Sequence, residues 1–273
     1  MIRAEDDSPP RHDRHRAALL GRAGRLYYAA AFYVALAVFG LSCLLWSLPA
    51  SLLHRALPRR IGEPIGQFGI MAGFRWSLWV MRALGVVRVD LSALDVLRDE
   101  RSLVVASNHP TMMDAVLLIS RLPRVVCITK ASLWDSPFLG GGVRLAGYVR
   151  NDAPLPMIRR AAEAVRDGRQ LMVFPEGSRT ARPPLDRFGR GFAVTARAAG
   201  APVQTVLIEA DSPYLRKGWP LLRRPELPVV YRVRLGERFA MGRDPEAFVA
   251  GLEAYFRREL RAGEVEEEGS VAA

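Results

Sequence analysis

The chain has 273 residues, half of them apolar, and a formal charge of +11 from 39 basic and 28 acidic side chains. That length allows one sizeable α/β domain with appendages, and the apolar share is ample for a core and high for a wholly soluble protein. Its two cysteines, Cys43 and Cys127, lie in apolar segments without metal-ligand spacing, which excludes a disulfide framework. Nearly all the positive charge is arginine, Lys130 and Lys217 being the only lysines. A basic surface of this kind points to an anionic partner: lipid headgroups, nucleic acid or an acidic carrier protein.

Residues 1–20 are charged and contain Pro9-Pro10, so they read as a disordered basic arm. Residues 21–85 read as a membrane-embedded helical segment. No charged residue occurs from Leu26 to Leu53. As a helix, this run extends roughly 40 Å, more than the roughly 30 Å hydrocarbon core of a bilayer. It is too long and too far from the start for a signal peptide. Arg14, Arg16, Arg22 and Arg25 precede it and Arg55, Arg59 and Arg60 follow it, so the positive-inside rule assigns no orientation. Two arrangements fit that symmetry: one tilted span, or a hairpin broken near Gly40 or Ser47–Pro49 that dips into one leaflet. A buried core helix is a third reading, for which the uncharged run is long. Residues 68–87 are apolar but interrupted by Arg75 and Arg82, with Phe74, Trp76 and Trp79 clustered near them. That mixture suits an interfacial helix docking a domain on a bilayer, and equally an amphipathic helix packed on that domain.

Residues 86–262 alternate apolar runs with amphipathic segments. Strands are expected at 86–90, 102–107, 125–129, 170–174, 203–209 and 228–235, and helices at 111–121, 155–167, 189–199 and 245–261. Gly168 reads as a helix stop. Gly140-Gly141-Gly142 reads as a hinge or turn, without the spacing of a nucleotide-binding loop. Residues 182–187 read as an exposed loop, and residues 263–273 as an acidic disordered tail. The pattern predicts an α/β fold: a central, mostly parallel sheet flanked by helices, active-site loops at strand ends, and the N-terminal membrane-embedded segment.

Two strand ends carry chemistry. After Leu103-Val104-Val105-Ala106 comes Asn108-His109-Pro110-Thr111-Met112-Met113-Asp114. A histidine at a strand end, with a carboxylate in the following helix, is what a general base needs, because the carboxylate fixes the tautomer and stabilises the imidazolium. Pro110 suits the first helical position with Asn108 or His109 as cap, putting Asp114 about one turn in. Taken alone, such a pair is as compatible with a structural contact. After Gln170-Leu171-Met172-Val173 comes Phe174-Pro175-Glu176-Gly177-Ser178-Arg179-Thr180. Gly177 permits a positive φ or close approach, Arg179 offers a bidentate fork for phosphate or carboxylate, and Ser178 and Thr180 add hydroxyls. Alone, this too fits a salt-bridged loop.

Together the two blocks resemble the glycerolipid acyltransferases typified by 1-acylglycerol-3-phosphate acyltransferase, with their N-H-x-x-x-x-D and F-P-E-G-x-R-[ST] signatures. The likeness covers roughly residues 85–215. It implies transfer of an acyl chain from a thioester of coenzyme A or acyl carrier protein to a lipid hydroxyl, with His109 as base and Asp114 orienting it. It further implies that Glu176, Gly177, Ser178, Arg179 and Thr180 contact the acceptor, with Arg150 and Lys130 as weaker anion contacts. No cofactor or metal is expected beyond the thioester co-substrate, and no nucleic-acid partner. The chemistry is expected on the cytosolic face of the cytoplasmic membrane, where those thioesters are found.

Three departures bear on the acceptor. The family's middle block ends in an arginine where this chain has Asp152, just after Arg150-Asn151. A V-P-V-like strand reads Val203-Gln204-Thr205-Val206, and Lys130-Ala131-Ser132-Leu133 lacks the acid of a K-x-E-L-like segment. A carboxylate at 152 repels a phosphate. The same scaffold acting on a non-phosphate lipid is therefore the first rival reading. A non-enzymatic protein that binds anionic lipid is the second.

Overall fold

A computed structural model describes residues 11–271, with side chains described for residues 21–263. Seven strands form one sheet: β1 (Val87–Asp90), β2 (Leu103–Ser107), β3 (Val125–Lys130), β4 (Val149–Asn151), β5 (Gln170–Val173), β6 (Val203–Ala210) and β7 (Val229–Phe239). Their spatial order is β1-β7-β6-β2-β5-β3-β4. Every neighbouring pair is parallel except β6–β7. This is the expected α/β architecture with a mostly parallel sheet. Strands β2 and β5 are buried at every position, as strands covered on both faces must be.

The helices are α1 (Arg11–Ala56), α2 (Arg59–Ala83), α3 (Asp114–Ile119), α4 (Ala131–Trp134), α5 (Gly140–Leu145), α6 (Pro154–Arg166), α7 (Gly191–Ala199) and α8 (Pro245–Val271). Helix α1 starts inside the expected disordered arm. From His12 to Leu20 the sequence holds no glycine or proline to stop it; residues 1–10 lie outside the described residues. Helix α8 likewise continues through the glutamate-rich stretch expected as a disordered tail, and residues 272–273 lie outside the described residues.

The N-terminal segment differs from the broken hairpin drawn from sequence, and its first helix is one unbroken rod, as a single span requires. Helix α1 passes through Gly40 and Pro49 without a break. The chain reverses instead at Leu57-Pro58, where Pro58 takes an extended conformation (ψ 148°) ahead of α2. Helix α2 then runs back along α1: Trp46 meets Gly69, Phe39 stacks on Phe74 at 5.8 Å, and the Tyr27 hydroxyl donates to the Leu84 carbonyl at 3.2 Å. One stripe of α1 (Ala31, Phe32, Ala35, Ser47, Ala50) is buried. The opposite stripe, Tyr27, Val34, Leu41, Leu45, Leu48 and Leu52, is exposed and apolar. Helix α2 repeats the pattern, with Ile61, Ile65, Phe68, Trp76 and Trp79 outward. By length and composition, α1 from Gly21 to Ala56 qualifies as a membrane-crossing helix.

Gly140-Gly141-Gly142 is a helix, not the expected hinge. A Cβ on Gly141 would overlap the Ser47 carbonyl of α1, and one on Gly142 would press on Trp46 at 3.2 Å. The glycines are there because three helices meet closely. The same holds on α2, where a Cβ on Gly66 would overlap the backbone of Leu145 and Ala146. Gly66→Ala is therefore expected to cost about 1–3 kcal/mol by forcing α2 off α5, lowering the thermal midpoint by several degrees. Gly73→Ala on the same helix, where a Cβ has open space, should leave the midpoint unchanged or raise it.

Candidate active site

Register brings the two sequence blocks together. Strands β2 and β5 are neighbours, with Ala106 opposite Val173. His109 and Glu176 each stand three residues further on. The same offset of 67 that pairs the strands thus pairs the turns, and the His109 backbone N–H donates to Glu176 Oε1 at 2.8 Å. Thr180 N–H donates back to the His109 carbonyl at 2.8 Å. The second block clamps the histidine backbone from both sides.

Asn108 fixes the turn from the other flank. Strand β6 runs past the last β2 residue, and the Asn108 side chain substitutes for the missing strand partner: Nδ2 donates to the Ile208 carbonyl at 2.7 Å and Oδ1 accepts from Ile208 N–H at 2.8 Å. The expected helix over 111–121 is shorter than the pattern predicts and begins at Asp114. Pro110 is not its first residue, and Asp114 opens the helix where it was expected one turn inside. The cause is local. Asp114 Oδ2 accepts from Thr111 N–H at 2.8 Å and Oδ1 from the Thr111 hydroxyl at 2.6 Å, which closes residues 111–114 as a side-chain turn.

The same carboxylate holds the ring: His109 Nδ1 and Asp114 Oδ2 are 2.8 Å apart. Asp114 is fully buried, whereas the His109 side chain retains 16% exposure. Burial pushes the Asp114 carboxyl upward, and the His109 ring and the Thr111 hydroxyl and N–H oppose it. Phe174 stacks on the ring at 3.8 Å and 12°. With Nδ1 engaged and one face covered by Phe174, Nε2 is the nitrogen left to exchange a proton with a ligand. Tyr231 of β7 is also buried.

Glu176 is occupied by the protein itself. Besides His109 N–H it accepts from the Thr180 hydroxyl at 3.0 Å and from Asp186 N–H at 2.9 Å. Burial raises its pKa, and these donors oppose the shift. Gly177 takes φ +70° at the exposed apex and Ser178 is exposed beside it. Arg179 is half-buried and donates from Nη1 to the Leu215 and Arg216 carbonyls at 2.9 and 3.1 Å. Leu215 itself sits at φ 59° and its carbonyl also accepts Met112 N–H at 3.1 Å. A third loop, 211–217, is thereby tied to both blocks; no residue type in it signals this in the sequence.

Lys130 and Arg150 lie at the same strand-end rim but further out, on β3 and β4. Strands are about 4.8 Å apart, which sets Lys130 two strands and Arg150 three strands from β2. Lys130 is exposed. Arg150 is held between Asp135, at 2.6 Å, and Asp152, at 3.2 Å. Thr205 lies in the sheet, buried at a register shift in β6, with its hydroxyl on the Glu237 carbonyl at 2.8 Å. Among the described residues no group of three or more His, Cys, Asp or Glu gathers to hold a metal.

The family model described as Acyltransferase matches residues 79–209, which contain both blocks. Over those residues the chain resembles the acyltransferases. A 1-acyl-sn-glycerol-3-phosphate acyltransferase from Pseudomonas aeruginosa is 23% identical over 194 residues, 69% of this chain and 73% of that one. The human 1-acyl-sn-glycerol-3-phosphate acyltransferase beta is 28% identical over 200 residues, 70% and 69%. The crystal structure of the 1-acyl-sn-glycerophosphate (LPA) acyltransferase PlsC from Thermotoga maritima shares the fold, with a TM-score of 0.64 over 89% of this chain and 97% of that one at 19% identity.

The network around Glu176 has a measurable consequence. Glu176→Ala leaves three donors without their acceptor and should cost about 2–4 kcal/mol of stability, with a fall in kcat as the His109 turn loosens. A thermal midpoint unchanged alongside a raised acceptor KM would instead make Glu176 a headgroup ligand.

Proposed function

We propose that this acyltransferase moves an acyl chain from a thioester of coenzyme A or acyl carrier protein to the free hydroxyl of a lysophospholipid such as 1-acylglycerol-3-phosphate. The observation that carries the reading is the His109–Asp114 contact at 2.8 Å, with the carboxylate buried and the ring reachable. His109 Nε2 takes the hydroxyl proton. The oxygen attacks the thioester carbon, and the tetrahedral intermediate collapses with loss of the thiolate. That thiolate recovers the proton from the imidazolium, giving an ester and a free thiol. Asp114 offsets the positive charge on the ring throughout. Direct transfer is preferred to an acyl-enzyme because the ring's close neighbours are Phe174, Asp114 and Thr111, none of them an activated nucleophile.

The acceptor's anionic headgroup is assigned to the exposed apex of the second block, Gly177 and Ser178, and to the remaining donors of Arg179. Glu176 and Thr180 organise that apex rather than touch the lipid. One observation favours a second reading, a non-phosphate acceptor for the same chemistry: Arg150, the cation nearest the family's phosphate-binding arginine in sequence, is already neutralised by Asp135 and Asp152. Assaying lysophosphatidate beside uncharged lyso-lipids with one acyl thioester separates the two.

We also propose that the protein lies on the cytosolic face of the cytoplasmic membrane with the α1–α2 hairpin flat in one leaflet. Each helix buries one stripe on the protein and exposes an apolar stripe along its length, which suits lipid on one side only. Basic residues end the hairpin at both extremes: Arg22, Arg25 and Arg82 at one, His54, Arg55, Arg59 and Arg60 at the turn. Lying flat lets both ends reach headgroups, and it explains why charge flanks α1 on both sides.

His109→Ala should lower transfer by at least about a thousandfold, and Asp114→Asn by about a hundredfold or more, with folding and vesicle binding retained. Transfer by His109→Ala within a few-fold of the parent would contradict the base assignment. Arg179→Ala should raise KM for a phosphate-bearing acceptor more than for the thioester, measured with each substrate varied in turn. Equal effects on both would remove it from the headgroup.

A further inference from the structure

The β6–β7 connection begins at the candidate site and ends at the hairpin. At its start, Leu215 bonds Met112 and Arg179 as described. Next to it, Tyr214 packs edge-on against Phe32 of α1, ring centroids 5.7 Å apart. Further along, the Tyr33 hydroxyl donates to the Leu222 carbonyl at 3.3 Å, and Arg224 Nη1 donates to the Arg25 carbonyl at 3.1 Å. The loop is thus fastened along one border of the exposed α1 stripe, while α2 borders the other through Tyr27 and Leu84.

The loop tip is Trp219-Pro220-Leu221-Leu222-Arg223-Arg224. Trp219 Nε1 donates to the Arg223 carbonyl at 2.9 Å, and the Arg223 guanidinium lies 4.8 Å over the Trp219 ring. This closes a tight turn that holds two consecutive leucines out, 47% and 65% exposed. One exposed leucine on a surface is ordinary; two together on a fastened loop, beside an apolar helix stripe, extend a patch. The tip lies level with the aromatic end of the hairpin, where Tyr27, Tyr33, Trp76 and Trp79 are also exposed. Aromatic rings and arginines around an aliphatic patch are the composition of a bilayer boundary. Between residues 211 and 228, Arg216, Lys217, Arg223 and Arg224 stand against Asp211 and Glu226, so the charge favours an anionic surface.

We infer that residues 219–224 are a second lipid-contacting element, with Leu221 and Leu222 entering the acyl region of an anionic bilayer beside the hairpin and Arg223 and Arg224 at its phosphate layer. This rests on the proposed membrane docking and extends it from the N-terminal helices to a loop of the catalytic domain. Through Leu215, the loop joins the depth of the bilayer to the turn that carries His109, so that a lipid hydroxyl is met at a fixed height.

Flotation of the full-length protein with vesicles of phosphatidylcholine and phosphatidylglycerol in equal parts tests this. Leu221→Ser with Leu222→Ser should weaken partitioning by at least about tenfold, with kcat on a monomeric short-chain acceptor unchanged. Arg223→Gln should weaken it about fivefold on these vesicles and leave binding to pure phosphatidylcholine unchanged. Trp76→Ser with Trp79→Ser is the control for the hairpin. If only that control loses binding, the loop does not touch lipid and the inference fails while hairpin docking stands. If neither pair of changes weakens binding, both fall. Independently of any loss of folding, Leu222→Cys carrying an environment-sensitive fluorophore should shift to the blue on vesicles, and an unshifted emission would overturn the inference.

Discussion

One hydrogen bond organises the site: the His109 backbone N–H held by the Glu176 carboxylate at 2.8 Å. It joins two turns that are adjacent only because β2 and β5 pair in parallel register. A partly buried carboxylate is costly unless its oxygens are satisfied, and Glu176 meets that cost with donors from three places: His109, Thr180 and Asp186. Those donors then cannot move independently. Asp114 repeats the device one layer deeper, using Thr111 to fix its own turn and the ring at once. The proposed base is therefore positioned by two acids, the partly buried Glu176 acting on its backbone and the buried Asp114 on its side chain. Its Nε2 is left as the free valence.

This division changes how the charge of the molecule is read. The chain is strongly basic, yet close to the ring the charged groups are mostly carboxylates with structural work, and the nearby cations are partly spent. Arg150 is neutralised, Arg182 pairs with Asp186 at 3.3 Å, and Arg179 gives Nη1 to backbone carbonyls. In the proposed reading, a phosphate at this rim meets a few donors at a glycine apex, and the bulk of the positive charge acts at longer range. Arg179 keeps donors beyond those it gives to the fold, since a guanidinium has more donors than two carbonyls can take.

The six expected strands were legible because each is a β-branched or leucine-rich run closed by a polar turn, and the two turns that matter follow such runs directly. Residues whose meaning depends on a distant partner were not legible. Gly140-Gly141-Gly142 carries no helix signal; it is helical because Ser47 and Trp46 of α1 leave no room for side chains. The break that one of the two arrangements put near Gly40 or Ser47–Pro49 is absent; next to Pro49, Trp46 packs on Gly69 of α2 and Ser47 on Gly141 of α5. Strand β4 is three residues long, too short for any period to declare itself. The pair His109 and Asp114 could be read from sequence, whereas the use of Glu176 as a brace could not. Its three donors come from a neighbouring turn, its own helix-less loop and residue 186, and only the fold assembles them. Leu215 is the extreme case, an ordinary leucine made important by a left-handed backbone that turns its carbonyl toward two loops.

The hairpin and the site bear on each other through geometry rather than through shared residues. A lone spanning helix meets lipid along about 20 residues, whereas α1 is packed on its own protein from Phe32 to Ala50 along one side. In the proposed docking the bilayer meets the other side of α1, and the membrane plane runs parallel to the hairpin. That orientation sets Phe32, and with it Tyr214 and the 211–217 loop, at the water-facing side of the same helix whose other side meets lipid. A base in this position stays hydrated enough to exchange protons with bulk water.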